Sequence, residues 1–120
     1  MYRYCVRGLV SVAMRIEEWG YALHGHDVEV EACARSTGRI DIERIRRGLA
    51  SVLERVDHRP LWEAIPGAAL LEDLLLYVCR ELSPRLGGEA VLEAVTARIP
   101  GASISLECEE RAIGPGRAQG

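Results

Sequence analysis

The first third of the chain alternates hydrophobic and polar residues with a period of two. In residues 4–16 most apolar side chains share one parity, while arginines and a serine fall on the other. Residues 28–35 alternate in the same way, with valine and alanine set against glutamate and arginine. Because side chains two residues apart share a face of a strand, both segments are predicted to be β-strands with one buried face. The short polar turn at 17–22 favours a hairpin between them.

The middle of the chain changes to a helical period. Apolar residues at spacings of three and four line one side of residues 42–56, and Asp41 can cap this helix at its N terminus. A second helix is predicted from about Ala69 to Leu82, and Pro84 stops it. Two amphipathic helices therefore follow the two strands.

The last third is less regular. Residues 89–99 lie between a glycine pair and Pro100-Gly101 and suit a short helix, although a strand remains possible. Alternation returns at 102–109, which predicts a third main strand, and residues 111–113 are compatible with a brief fourth one. The resulting fold class is α+β, with an antiparallel four-stranded sheet and two main helices on one of its faces.

The length of 120 residues suits one domain. We predict a single domain over 1–113 and a flexible C-terminal tail over 114–120. An open four-stranded sheet leaves two edge strands unpaired, which favours pairing with further copies of the chain.

Charge and composition narrow the range of partners and compartments. The 15 Lys and Arg residues against 18 Asp and Glu give a net charge of -3, and no basic stripe suggests binding to nucleic acid. No apolar run is long enough to cross a membrane, and the N terminus enters a strand pattern instead of a signal peptide. The four cysteines form no C-x-x-C pair, which is typical of a protein in the reducing cytoplasm.

The triplet His24-Gly25-His26 marks the start of the second strand. In a strand the two imidazoles point the same way with a glycine between them, as two ligands of a metal do. Catalytic zinc usually takes three protein ligands and keeps a fourth position open, so the pair needs a third donor from elsewhere.

Five motifs in this order make the chain resemble the 6-pyruvoyl-tetrahydropterin synthase family, which includes the 6-carboxy-tetrahydropterin synthases. They are HGHDVEV (24–30), GRIDI (38–42), DHRPLW (57–62), LLEDLLLY (70–77) and ISLE (104–107). Each is weak alone, and their order and spacing over residues 4–113 carry the resemblance.

The resemblance implies a fold, an assembly and a reaction. The expected fold is the tunnelling fold, in which subunits join edge to edge into a trimeric barrel and two trimers stack into a hexamer. Active sites lie between subunits and hold zinc through three histidines. The substrate implied is 7,8-dihydroneopterin triphosphate, from which family members eliminate triphosphate on the way to pterins or queuosine-type deazapurines.

His24 and His26 match two of the family's zinc ligands. The third histidine is replaced by Met14, whose thioether is a poor zinc ligand and suits monovalent copper better. Cys5, His58 or a carboxylate would have to supply the missing donor. The alternative for the two histidines is a pair of solvated imidazoles on a surface strand.

The family's catalytic cysteine is also absent, since its position is Gly20. Glu17 or Glu18 could act as the base if burial tuned its pKa, although glutamates in loops are usually solvated. Asp57 and His58 match the family's Asp-His pair for proton transfer. The alternative is a cationic His58 beside a helix C terminus, with Asp57 merely exposed.

Glu107 matches the glutamate that anchors the pterin ring through two parallel hydrogen bonds. The alternative is one more solvated acid on a strand. Glu72 falls at the family's helix-start glutamate, and its interpretation here is an ordinary exposed helix residue.

The resemblance therefore predicts a lyase of the 6-pyruvoyl-tetrahydropterin synthase type with an incomplete catalytic set. The alternative is a non-catalytic paralogue that binds a pterin or only assembles with a related subunit. A third hypothesis is a small α+β interaction module unrelated to pterins.

Overall fold

The computed structural model describes residues 1–16, 21–22 and 26–108. These residues form an α+β fold with the following elements: β1 (Tyr2–Ala13), β2 (Arg15–Ile16), β3 (Tyr21–Ala22), β4 (His26–Ser36), α1 (Ile42–Glu54), β5 (Arg59–Pro60), α2 (Leu61–Ala64), α3 (Leu71–Leu82), a 3-10 turn (Ser83–Leu86), β6 (Val91–Ile99) and β7 (Ala102–Glu107).

The main sheet has five strands in the order β5-β1-β4-β6-β7, and β2 pairs with β3 in a separate two-stranded ribbon. Three of the pairings in the main sheet are antiparallel, whereas β5 runs parallel to β1. The sheet is thus mixed, and the prediction of an antiparallel four-stranded sheet is wrong in this respect. The fifth strand is only two residues long, too short to leave a periodic pattern in the sequence.

Residues 91–99 form a strand, so the preferred prediction of a short helix is wrong and its alternative is confirmed. The reason is tertiary: β6 lies between β4 and β7, where Leu92, Val95 and Ala97 are buried against the helices. Gly101, at φ 80°, provides the left-handed position of the turn that leads into β7. The predicted strand at 111–113 and the tail at 114–120 lie outside the described residues.

The core lies between one face of the sheet and the helices α1 and α3. Its largest fully buried side chains come from both layers: Val10, Val12, Val28, Val30, Ile45, Leu49, Val52, Val56, Leu61, Leu74, Leu75 and Leu82. Gly8 lets α1 approach β1 closely, because a Cβ there would lie 2.8 Å from Leu53 Cδ1.

Both main helices start near their predicted positions. The backbone N–H of Glu43 donates a hydrogen bond to the Asp41 side chain at 3.0 Å, which confirms the predicted cap of α1. At the start of α3, Asp73 accepts from the backbone N–H groups of Ala69 and Leu70 at 2.8 and 3.1 Å. Within the described residues, no helix has the length and apolar character required to span a bilayer.

The other side of the sheet, called the open face from here on, carries rows of charged residues. Glu31 accepts hydrogen bonds from Arg7 and Arg98, each with a donor–acceptor distance of 3.0 Å. These two bonds, that of Arg7 first, hold the pKa of the Glu31 carboxyl below its ordinary value. Ion pairs thus connect β1, β4 and β6 across the open face.

All four cysteines are paired in disulfides, which does not agree with the reducing environment expected from their spacing. Cys5 and Cys33 lie directly opposite each other in the β1–β4 register, with their Cα atoms 4.1 Å apart. Cys79 of α3 is bonded to Cys108, the residue after β7. The partners are 28 and 29 residues apart along the chain, so their spacing alone did not indicate either bond.

Candidate functional site

The end of β1 is where two of the predicted site segments meet. The backbone of Val12 pairs with His26 of β4 on one side and with Arg59 of β5 on the other. Since neighbouring strands lie about 4.8 Å apart, His26 and Arg59 are separated by about 10 Å across β1. The end of the HGH triplet and the Asp57–His58 pair therefore flank the same stretch of strand.

Two hydrogen bonds fix Asp57 and His58 to β1, and a third contact joins their side chains to each other. The backbone N–H of Ser11 donates to Asp57 Oδ1 at 2.8 Å, and His58 Nδ1 lies 3.0 Å from Asp57 Oδ2. The backbone N–H of His58 donates to the Ser11 carbonyl at 2.8 Å. His58 has a φ of 59°, a left-handed conformation uncommon for residues other than glycine.

The electrostatics of this pair favour an ionised Asp57. The Ser11 N–H lowers the pKa of the Asp57 carboxyl below its ordinary value, partial burial opposes this effect, and His58 adds to it. The His58 side chain is 80% exposed, so its other ring nitrogen is accessible to a ligand. A histidine held by a carboxylate through Nδ1 can transfer a proton through Nε2.

Met14, the residue that follows β1, is buried in a cleft of about 240 Å³ that we call the Met14 cleft. Apolar side chains dominate its lining, with Glu72 and Ser103 as the polar members: Met14, Leu70, Leu71, Glu72, Ala97, Ile99, Ala102, Ser103 and Ile104. Glu72, which the sequence suggested was an ordinary helix residue, thus lies at a cleft together with the residue that replaces the third histidine. The sequence signal that could have indicated this place is the position of Glu72 directly after Leu70 and Leu71, which line the same cleft.

The described residues do not fit a zinc centre of three histidines. At the position to which the family resemblance assigns the third imidazole, Met14 brings a thioether and apolar neighbours. In the described part of the chain, the three potential ligand side chains that lie close together are Cys5, Glu31 and Cys33, but the disulfide leaves neither cysteine a thiolate to bind a metal. Cys5 is bonded to Cys33 about 30 Å along β1 from Met14, so it cannot supply the third ligand in the same protomer.

Glu107 lies away from the Met14 cleft. It is exposed and pairs with Ala94, whereas Ala102 at the other end of β7 contributes to the cleft. Glu107 lies five positions along β7 from Ala102, a distance of about 17 Å. Its neighbours Leu106 and Cys108 point towards the helices, which places the Glu107 side chain on the open face. Within one protomer the predicted ring anchor and the cleft therefore do not meet.

Several predicted site residues cannot be placed. His24, Glu17, Glu18 and Gly20 lie outside the described residues, and for His26 the description covers the backbone alone. Their roles remain predictions from the sequence.

Comparisons with known proteins identify the fold. No family model and no curated protein matches the chain. Among solved structures, that of the 6-pyruvoyl tetrahydropterin synthase of Caenorhabditis elegans is similar, with a TM-score of 0.74 at 20% sequence identity, covering 88% of this chain and 94% of that one. The chain therefore has a fold like that of this synthase.

Proposed function

We propose that the chain is a lyase of the 6-pyruvoyl-tetrahydropterin synthase type that acts on 7,8-dihydroneopterin triphosphate. The observation that supports this most directly is the Asp57–His58 pair, held against β1 in a fold like that of a known synthase. Elimination of triphosphate requires removal of a proton from the side chain of the substrate, and an exposed histidine oriented by a carboxylate is suited to that step.

In this proposal each residue has a defined part. His58 accepts the proton through Nε2, and Asp57 holds Nδ1 and stabilises the imidazolium that forms. Glu107 of a neighbouring copy binds the pterin ring, because its distance from the cleft leaves it no role within its own protomer. His24 and His26 remain candidate metal ligands, but with Met14 as their companion we derive no step through a metal.

The test is release of triphosphate from 7,8-dihydroneopterin triphosphate by the purified protein, followed by anion-exchange chromatography. Asp57→Asn is the informative variant, because the amide oxygen can still accept from Ser11 while the negative charge is lost. We expect kcat to fall by about 100-fold, within the usual contribution of general acid-base catalysis, with pterin binding unchanged. Equal rates for Asp57→Asn and the wild type would contradict the assigned role.

One observation favours a second candidate, a non-catalytic protein that binds a pterin. The Met14 cleft presents mostly apolar side chains where a lyase of this type needs a metal ligand. Metal-free protein that binds 7,8-dihydroneopterin, but releases no triphosphate when it is given 7,8-dihydroneopterin triphosphate, would support this candidate over the lyase. Absence of pterin binding would reject both.

A further inference from the structure

The two disulfides differ in their access to solvent. Cys79 and Cys108 are fully buried between α3 and the end of β7. Cys5 is exposed on the open face, and its partner Cys33 keeps 7% of its surface exposed. An incoming thiolate must reach a disulfide sulfur to exchange with it. In the folded chain the pair Cys5–Cys33, called the open-face disulfide, is therefore the one open to attack.

Cationic side chains flank the open-face disulfide. The β1–β4 register places Arg3 opposite Arg35 on one side of it and Arg7 opposite Glu31 on the other. A carboxylate oxygen of Glu31 lies within 4.8 Å of both sulfurs, but Arg7 and Arg98 each bind this carboxylate at 3.0 Å. Glu93 pairs with both Arg3 and Arg35 at 3.5 and 3.7 Å, and Glu29 pairs with Arg98 at 3.4 Å. Four arginines against these three glutamates leave a small positive excess around the disulfide, which favours the thiolates that exchange produces.

We propose that the open-face disulfide is a thiol-disulfide exchange site that takes two electrons from a dithiol, while Cys79–Cys108 stays oxidised. A thiolate of the dithiol attacks the exposed Sγ of Cys5. A new S–S bond forms, the Cys5–Cys33 bond breaks, and its electron pair remains on Cys33, which takes up the proton lost by the attacking thiol.

The second thiol of the reductant then completes the exchange. It loses its proton and attacks the reductant's own sulfur in the mixed disulfide, so the bond to Cys5 breaks and Cys5 keeps the electron pair. Cys5 takes up the second proton. The protein disulfide has been reduced to two thiols, and the dithiol has been oxidised to its disulfide.

The sheet keeps the two sulfurs opposite each other after reduction. The β1–β4 ladder runs from the Tyr2–Ser36 pair to the Val12–His26 pair and extends on both sides of the cysteines. Because backbone pairing on both sides is independent of the S–S bond, reduction leaves the strands in register. The exchange is therefore reversible without unfolding.

The experiment is reduction of the native protein with dithiothreitol, quenched at intervals by iodoacetamide and analysed by peptide mass spectrometry. Trypsin cuts after arginine except before proline, so the four cysteines fall in four different peptides, 4–7, 16–35, 56–80 and 99–111. We expect Cys5 and Cys33 to be alkylated at least about tenfold faster than Cys79 and Cys108, because the buried pair is exposed only by local unfolding. With glutathione as a single-thiol probe, the mixed disulfide should form on Cys5.

Two variants separate the charge effect from simple exposure. Arg3→Gln removes a flanking cation together with its ion pair to Glu93, leaves Glu31 bound by Arg7 and Arg98, and should slow reduction of the open-face disulfide severalfold. Arg46→Gln, a surface change on α1, should leave the rate unchanged. Equal rates for the two disulfides, or no alkylation of Cys5 and Cys33 until the protein is unfolded by urea, would overturn the proposal.

Discussion

At the residue scale, Glu31 is the open-face carboxylate that accepts hydrogen bonds from two arginines. We predict that Glu31→Gln lowers the free energy of unfolding by about 2 kcal/mol at neutral pH, because charge-assisted hydrogen bonds from Arg7 and Arg98 are lost. Its side chain is 13% exposed, so solvent screens these bonds little. Urea denaturation of both proteins measures the difference.

The same residue predicts a pH dependence. Since the pKa of Glu31 is lowered in the folded state, its contribution is complete above the ordinary glutamate pKa and is lost as the pH falls through the folded value. The wild type and Glu31→Gln should therefore become more alike in stability in acid. Glu43→Gln is the matched control, because it removes an exposed pair with Arg46 and should change stability far less. A constant difference at all pH values would contradict this role of Glu31.

Met14 allows a direct test of the metal hypothesis. We predict that Met14→His raises zinc affinity by at least about tenfold, since an imidazole is a good zinc ligand and a thioether is not. Competition with a chromogenic chelator measures the affinity. Met14→Leu keeps the cleft apolar and should bind zinc as the wild type does. Equal affinities in all three proteins would show that His24 and His26 do not form part of a zinc site.

At the scale of elements, the cap of α1 is a prediction from the sequence that the structure confirms. Asp41→Ala should lower the free energy of unfolding by about 1 kcal/mol, because the N–H of Glu43 loses its acceptor. Thermal unfolding monitored by circular dichroism measures the loss. Asp41→Asn keeps an acceptor oxygen and should recover most of the stability. Full loss in Asp41→Asn would mean that the cap acts through charge and not through the hydrogen bond.

The elements that could be predicted are those with long regular patterns. Strands β1 and β4 and helices α1 and α3 each repeat their period several times, and their bounds differ from the predictions by a few residues. For β6 the pattern was ambiguous, and its place between β4 and β7 decided the outcome. For β5, with two residues, there was no pattern.

The candidate site was predictable in its parts more than in its arrangement. The Asp57–His58 pair followed from a motif, but its attachment to Ser11 depends on the parallel pairing of β5 with β1. The place of Glu72 at the Met14 cleft depends on how α3 packs over the hairpin of β6 and β7. Such contacts join residues distant in sequence, and no local pattern records them.

At the scale of the whole molecule, Cys79–Cys108 joins the helix layer to the last described strand. Closing a chain segment of 29 residues should stabilise the fold by roughly 3–4 kcal/mol in the chain-entropy model. The double variant Cys79→Ala, Cys108→Ala should lose at least this much in urea denaturation. The double variant Cys5→Ser, Cys33→Ser is the matched control. Its cysteines are 28 residues apart, and their removal leaves no fully buried cavity. A smaller loss for the buried pair would contradict its structural role.

The edges of the main sheet bear on assembly. Strand β7 is the outermost strand on one side, and on the other side β5 covers β1 only at Val12 and Ala13. Both edges thus carry backbone groups that a further copy of the chain could pair with. Together with the distance of Glu107 from the Met14 cleft, this supports the proposed homotrimer or homohexamer with sites between subunits.

The outer edge of β7 allows this assembly to be tested. The N–H of Cys108 donates to the Glu93 carbonyl at 2.7 Å, so by alternation the N–H of Ser105 points away from β6. Ser105→Pro removes this outward donor and should shift a trimer or hexamer to monomer in light scattering after gel filtration. Both variants lose the 2.7 Å hydrogen bond between the Ser105 and Thr96 hydroxyls. Ser105→Ala keeps the backbone N–H, however, and should still assemble. Assembly of Ser105→Pro would place the subunit contact elsewhere, and a monomeric wild type would remove the neighbour that Glu107 needs for its proposed role.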